Sequence, residues 1–329
     1  MAIMQLAIAR ADVALDPAVF QEMPVASQLA LNRLIHFATG LCLRDPALIG
    51  DRATTRQDVI AFENMVVRPS SVAGQFYPDD PHRLQRQVSD LLARIATPVN
   101  GIPKALIAPH AGYIYSGAVA AAAFATLRSS AQAITRVVLI GPAHYASLRG
   151  IAAPTVDAFE TPLGRVPVDA RALRAIADLP FVIQVDAPHA PEHALEVELP
   201  FLQTLLTSFQ LVPLLVGDVT AREIADVLRR LWGGPETLIV VSSDLSHYHD
   251  YETARRLDAA TAAAIENGDW ASLGPNQACG CRAVAGLLLE AGRRGLKTRR
   301  LSLCNSGDTA GSRDRVVGYG AWMFAQMAA

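Results

Sequence analysis

Four short, continuously apolar runs organise the chain: ALIAP (105–109), VVLIGP (137–142), LVPLLVG (211–217) and LIVVSS (238–243). Around them lie stretches with apolar residues at helical spacing, over 116–128, 169–178, 196–209 and 221–232. Unbroken apolar runs suit strands covered on both faces. Strands alternating with helices predict an α/β fold with a largely parallel or mixed central sheet flanked by helices. Two further strands are expected in RRLSLCNS and VVGYGAWMF, preceded by helices over 250–267 and 282–293. Upstream, Asp80 caps a helix with Pro81 in its first position. Leu84, Val88, Leu91, Leu92 and Ile95 give that helix one apolar face.

Residues 1–66 carry a different texture. Ser27 is a candidate cap for a helix with Leu31, Leu34, Ile35 and Ala38 on one face, ended by Gly40, and a second short helix is expected over 56–64. No strand pattern or chemical motif falls there. The expected organisation is therefore a helical N-terminal extension, 1–66, and an α/β domain, 67–329. Residues 105–127 contain no Asp, Glu, Lys or Arg, long enough to span a bilayer. Pro109, His110, Gly112 and Gly117 instead break the stretch into a strand, a loop and an Ala-rich helix.

Composition narrows the function. Of 329 residues, 51% are hydrophobic and 18% charged, which excludes a disordered chain. A formal net charge of −2 gives no general affinity for nucleic acid or anionic membrane, so function must come from a local site. Four cysteines, Cys42, Cys279, Cys281 and Cys304, are too few for a disulfide scaffold. The opening MAIMQLAIARADVALDP lacks the basic start of a secretory signal, so free thiols in a reducing cytoplasm are expected.

Ligands of open α/β sheets bind beyond the carboxyl ends of the strands. ALIAP is followed by His110, VVLIGP by His144, and LIVVSS by Asp244 and His247. Each histidine alone is an ordinary loop residue. Three at strand ends point to a metal or acid–base site, since neutral imidazole is the commonest metal ligand. Cys279 and Cys281 flank Gly280 just before a helix, where the helix dipole is expected to favour thiolate. The alternative is a pair of buried thiols packing a helix start. Cys304 reads as core and Cys42 as core or surface. HAPEHALEVELP offers His189, Glu192, His193, Glu196 and Glu198. His193 and Glu196 share a face if the helix begins early, with Glu196 able to support a site, and otherwise the segment is a charged helix start. HExxH, GxSxG, Walker A and GxGxxG motifs are all absent, against zinc proteases, serine hydrolases, kinases and dinucleotide enzymes.

The segments VRPSSVAGQFYPDDP, APHAGYIYSG, GPAHY, EHALEVELPFLQ, VVSSDLSHY, ACGCRAV and NSGDTAG…VVGYGA, in this order over about 67–329, resemble the Memo family, called AmmeMemoRadiSam system protein B in prokaryotes. That family is similar in fold to class III extradiol dioxygenases, which open catechol rings with Fe(II) and O₂. The resemblance implies a pocket of two histidines and a cysteine, matching His110, His144 and Cys279, with Fe(II) as the expected metal and copper or zinc as alternatives. His247 matches the acid–base histidine of the dioxygenases, and Asp244 would orient the histidines. A thiolate in place of the usual carboxylate shifts preference toward softer metals. The implied functions are a non-haem iron dioxygenase acting on a catechol-like substrate, or a protein that binds metal or peptide without turnover. The second would act alongside AMMECR1-like and radical-SAM proteins.

Overall fold

The computed structural model describes residues 65–95 and 101–326, and Val67 opens a unit that runs to Ala329. The helices expected within 1–66, and Cys42, lie outside the described residues. The strands are β1 (Val67–Arg68), β2 (Pro103–Ala108), β3 (Arg136–Pro142), β4 (Ile151–Ala153), β5 (Ala158–Thr161), β6 (Gly164–Pro167), β7 (Val182–Gln184), β8 (Gln210–Val216), β9 (Thr237–Ser242), β10 (His247–His249), β11 (Lys297–Asn305) and β12 (Val316–Ala325). The helices are α1 (Pro81–Ala93), α2 (Tyr113–Phe124), α3 (Ala170–Arg174), α4 (Leu199–Leu205), α5 (Ala221–Leu231), α6 (Tyr251–Asn267) and α7 (Cys281–Arg293).

β2, β9, β3 and β8 lie side by side in parallel, and Leu106, Val138, Leu214 and Val240 within them are fully buried. This is why those runs carry no polar alternation. β12 adds antiparallel to β2 and pairs with β10 and β11, and β4 joins β8 antiparallel with β7 beyond it. The result is a mixed nine-stranded sheet with a parallel centre, the α/β architecture the apolar runs predict. β1, β5 and β6 form a second, three-stranded sheet. Sequence pattern did not reveal β4 to β7, whose three or four residues each are too short for a period to show.

Helix ends follow local chemistry. Asp80 accepts a hydrogen bond from Arg83 N at 2.7 Å at the start of α1, and Thr220 and Glu223 form a reciprocal cap on α5. The charge-free stretch 105–127 resolves into β2, a loop and α2. No helix among the described residues is long and apolar enough to cross a membrane. The single helix expected over 196–209 is corrected: a 3₁₀ turn, Glu196–Glu198, precedes α4, which ends at Leu205. Pro200 has no N–H to reach the Glu196 carbonyl, so no α-turn spans that point. His193 therefore stands in coil and shares no helix face with Glu196.

The segment before α4 is buried. His189 is 2% exposed, and its Nε2 lies 3.2 Å from the Ala152 carbonyl of β4. Burial pulls its pKa down to about 4. The unfolded chain therefore takes up a proton below about 6.5 that the folded chain refuses until about 4. Stability is full above that window and lost as pH falls through it. Wild type is expected to lose about 3 kcal/mol more than His189→Gln between pH of about 7 and 4, read from urea unfolding at each pH. Parallel pH profiles would refute this.

Candidate metal centre

β9 lies between β2 and β3, so the carboxyl ends of all three open on one edge of the sheet. His110 follows β2, His144 follows β3, and Asp244 follows β9. Cys279 arrives from the loop before α7. Gly280 permits that approach: a Cβ there would stand 2.7 Å from Ser243 Cβ and 2.8 Å from the Ser242 carbonyl oxygen. Donor atoms of His110, His144 and Cys279 all lie within 4.8 Å of one another, a group that can hold a metal ion. Cys279 Sγ is 3.4 Å from His110 Nε2.

Each imidazole is anchored through its other nitrogen. His144 Nδ1 lies 2.8 Å from Glu192 Oε1, while Glu192 Oε2 accepts from His144 N at 2.6 Å. Glu192 Oε1 also accepts from the backbone N–H groups of His193 and Ala194, each at 3.0 Å. Burial raises the Glu192 pKa, but the hydrogen bonds from the His144 ring and the backbone N–H groups outweigh it, leaving an ionised carboxylate below the ordinary glutamate range. An ionised carboxylate only accepts, so His144 carries its proton on Nδ1 and keeps the Nε2 lone pair for a metal. His110 Nδ1 lies 2.7 Å from Ser242 Oγ, which likewise leaves Nε2 toward Cys279. The donor set fits a transition-metal ion. Glu192→Gln, whose amide places a donor among these N–H groups, is expected to weaken metal affinity 10- to 100-fold, measured by competition with a chromophoric chelator. Unchanged affinity would refute the anchoring role.

Two expectations are corrected. Cys279 does not have a lowered pKa: burial and then the Asp244 charge push the thiol well above its ordinary value, outweighing the N–H groups around it. It stands two positions before the first residue of α7, with Gly280 as cap. Glu196 does not support the pocket histidines directly. It is fully buried and accepts hydrogen bonds from Arg68, Tyr77 and the Ser71 and Val72 N–H groups.

The remaining residues fall into place around this group. Asp244 Oδ1 accepts from His110 N at 2.9 Å, so it holds the His110 backbone rather than a ring, and burial raises its pKa to about 7. His247 Nδ1 is 2.8 Å from the Leu245 carbonyl, which fixes its proton there. Burial lowers its pKa. Tyr248, next along, has φ of 62° in the β10 bulge, a strained conformation for an aromatic residue. Cys281 is buried in the first turn of α7 and joins the core, outside the ligand group. Cys304 packs partly exposed in β11 opposite Tyr319.

His193 was not singled out by the sequence as a pocket residue. Its ring stacks on His144 with centroids 4.7 Å apart and meets His110 edge-on at 5.4 Å. His144, Glu192 and His193 form a second group with metal-ligand spacing. The four hydrogen bonds Glu192 already accepts identify it as an anchor, and burial first lowers the His193 pKa to about 4. The signal in the sequence was the adjacent pair Glu192-His193.

An α/β protein with a His/His/Cys pocket at the carboxyl edge of its parallel strands is thereby defined. The chain belongs to the Memo family: the pattern of Memo-like proteins matches residues 68–323. It is 32% identical over 276 residues to a MEMO1 family protein of Nitrosopumilus maritimus, covering 79% of this chain and all of that one. A MEMO1 family protein of Aquifex aeolicus is 34% identical over 271 residues, covering 79% and 100% of the two chains. One of Aeropyrum pernix is 36% identical over 284 residues, covering 78% and 99%.

Proposed function

We propose that His110 Nε2, His144 Nε2 and Cys279 Sγ hold one Fe(II) ion and that the pocket acts as an extradiol-type oxygenase on a catechol-like diol. The observation that carries this reading is convergence: three donors from three separate segments lie within 4.8 Å, and both imidazoles are anchored through Nδ1. When bound, iron would supply Lewis acidity and one-electron chemistry toward O₂. His247 keeps its Nε2 lone pair and is neutral near pH 7, so it can take the proton of a substrate hydroxyl. Asp244 holds the His110 backbone in place. The Cys279 donor favours a second reading, quiet binding of copper(I) or zinc, because sulfur is softer than carboxylate oxygen and is itself oxidisable. In that case the protein would act with AMMECR1-like and radical-SAM partners.

Anaerobic loading in parallel with Fe(II), copper(I) and zinc, elemental analysis and oxygen uptake over a panel of catechols test both. Bound iron with uptake supports the oxygenase. Bound metal without uptake on any catechol supports the second reading, and failure to bind iron, copper or zinc overturns both.

A further inference from the structure

Behind His110 lies a buried polar chain that the pocket chemistry leaves unexplained. Ser242 Oγ has three polar neighbours: His110 Nδ1 at 2.7 Å, the Ala194 carbonyl oxygen at 2.7 Å and Glu198 Oε1 at 2.8 Å. A hydroxyl has one proton to give and two lone pairs to receive. The Ala194 carbonyl can only accept, so it takes the serine proton. His110 Nδ1 and Glu198 Oε1 must then both donate. An ionised Glu198 would instead compete with Ala194 for the single proton, leaving two acceptors against one oxygen. Glu198 is fully buried and its Oε2 has no hydrogen-bond partner among the described residues, a placement that is costly for a charged oxygen.

We propose that Glu198 is a neutral carboxylic acid at physiological pH and a positioning residue for His110, donating to Ser242 so that Ser242 accepts the His110 Nδ1 proton and Nε2 stays free. Burial, far outweighing the Ser242 hydrogen bond, raises the Glu198 pKa well above the ordinary range, in agreement with that proton count. The two imidazoles are then backed differently. His144 faces an ionised carboxylate, which makes it the stronger donor, and His110 faces a neutral hydroxyl.

Its consequence for metal affinity rests on the metal-centre reading, but the protonation state is tested without metal. In metal-free full-length protein at neutral pH, the infrared difference between wild type and Glu198→Gln should contain a protonated-carboxyl C=O band. A difference showing only carboxylate bands would overturn the proposal. Nitrogen-15 NMR of His110 should show a protonated Nδ1 in wild type that is lost or mixed in Ser242→Ala, and an Nε2–H tautomer in wild type would also overturn it. For metal, Glu198→Ala should weaken affinity about tenfold. Glu198→Gln, which keeps a neutral donor, should recover most of that loss. Recovery supports a neutral donor, and a Gln variant as weak as Ala would overturn it. Wild type that binds no metal but shows the carboxyl band would leave Glu198 assigned and sink only the metal-centre reading.

Discussion

If the pocket holds a metal, Cys279→Ala is expected to lower it from about one ion per chain to less than about a tenth, when loaded anaerobically and measured by elemental analysis. The effect is large because the donor set has three members and the thiol is the one that changes charge. In the metal-free protein burial and then Asp244 hold that thiol protonated. His110, the buried imidazole of the donor set, is already neutral at pH 7, since burial lowers its pKa. Binding as thiolate at neutral pH and above therefore displaces the Cys279 proton. Apparent affinity should rise about tenfold per pH unit over that range, because raising pH removes the competitor for sulfur. Proton release can be measured directly in weakly buffered solution. Cys281→Ala is the control: its sulfur lies outside the ligand group, so loading should persist. Full loading of Cys279→Ala, or affinity independent of pH, would refute the thiolate ligand.

The centre was legible where strands end. The runs before His110 and His144 are unbroken because both faces of β2 and β3 are covered, and that same burial puts the next polar residue at the open edge. Cys279 was visible only as a thiol near a helix start, and the resemblance, not spacing, chose it over Cys281. The expected low pKa failed because the dipole argument treats a solvated helix end, whereas this sulfur is buried beside a carboxyl group. Glu192 and His193 were visible as candidates, but their place in the pocket was not, for a different reason. They sit in coil, where no period marks which way a side chain points, and His144, the partner of Glu192, lies 48 residues away. The run VRPSSVAGQFYPDDP, rich in Pro, Gly and Ser, reads as an ordered loop, yet the side chain of its Arg68 is 3% exposed. A charge buried by residues more than a hundred positions distant leaves no local trace.

That arginine carries the second large effect. Arg68 pairs with Glu196 and also donates to the carbonyl oxygens of His189 and Glu192, tying the strand before the Pro-rich loop to the segment that carries the His144 anchor. Arg68→Met should cost about 3–5 kcal/mol, because it leaves the Glu196 carboxylate buried without its cation. For a domain of this size that lowers Tm by roughly 10 °C, measured by calorimetry. Glu196→Ala should cost a similar amount, leaving the guanidinium uncompensated and the Ser71 and Val72 N–H groups and Tyr77 hydroxyl without their acceptor. Many buried ion pairs can be exchanged for two apolar residues at no net cost. Here the double variant Arg68→Met with Glu196→Leu should remain destabilised, since the backbone donors and carbonyls served by the pair stay behind. A double variant as stable as wild type would show that charge pairing alone, rather than this shared network, holds the segment.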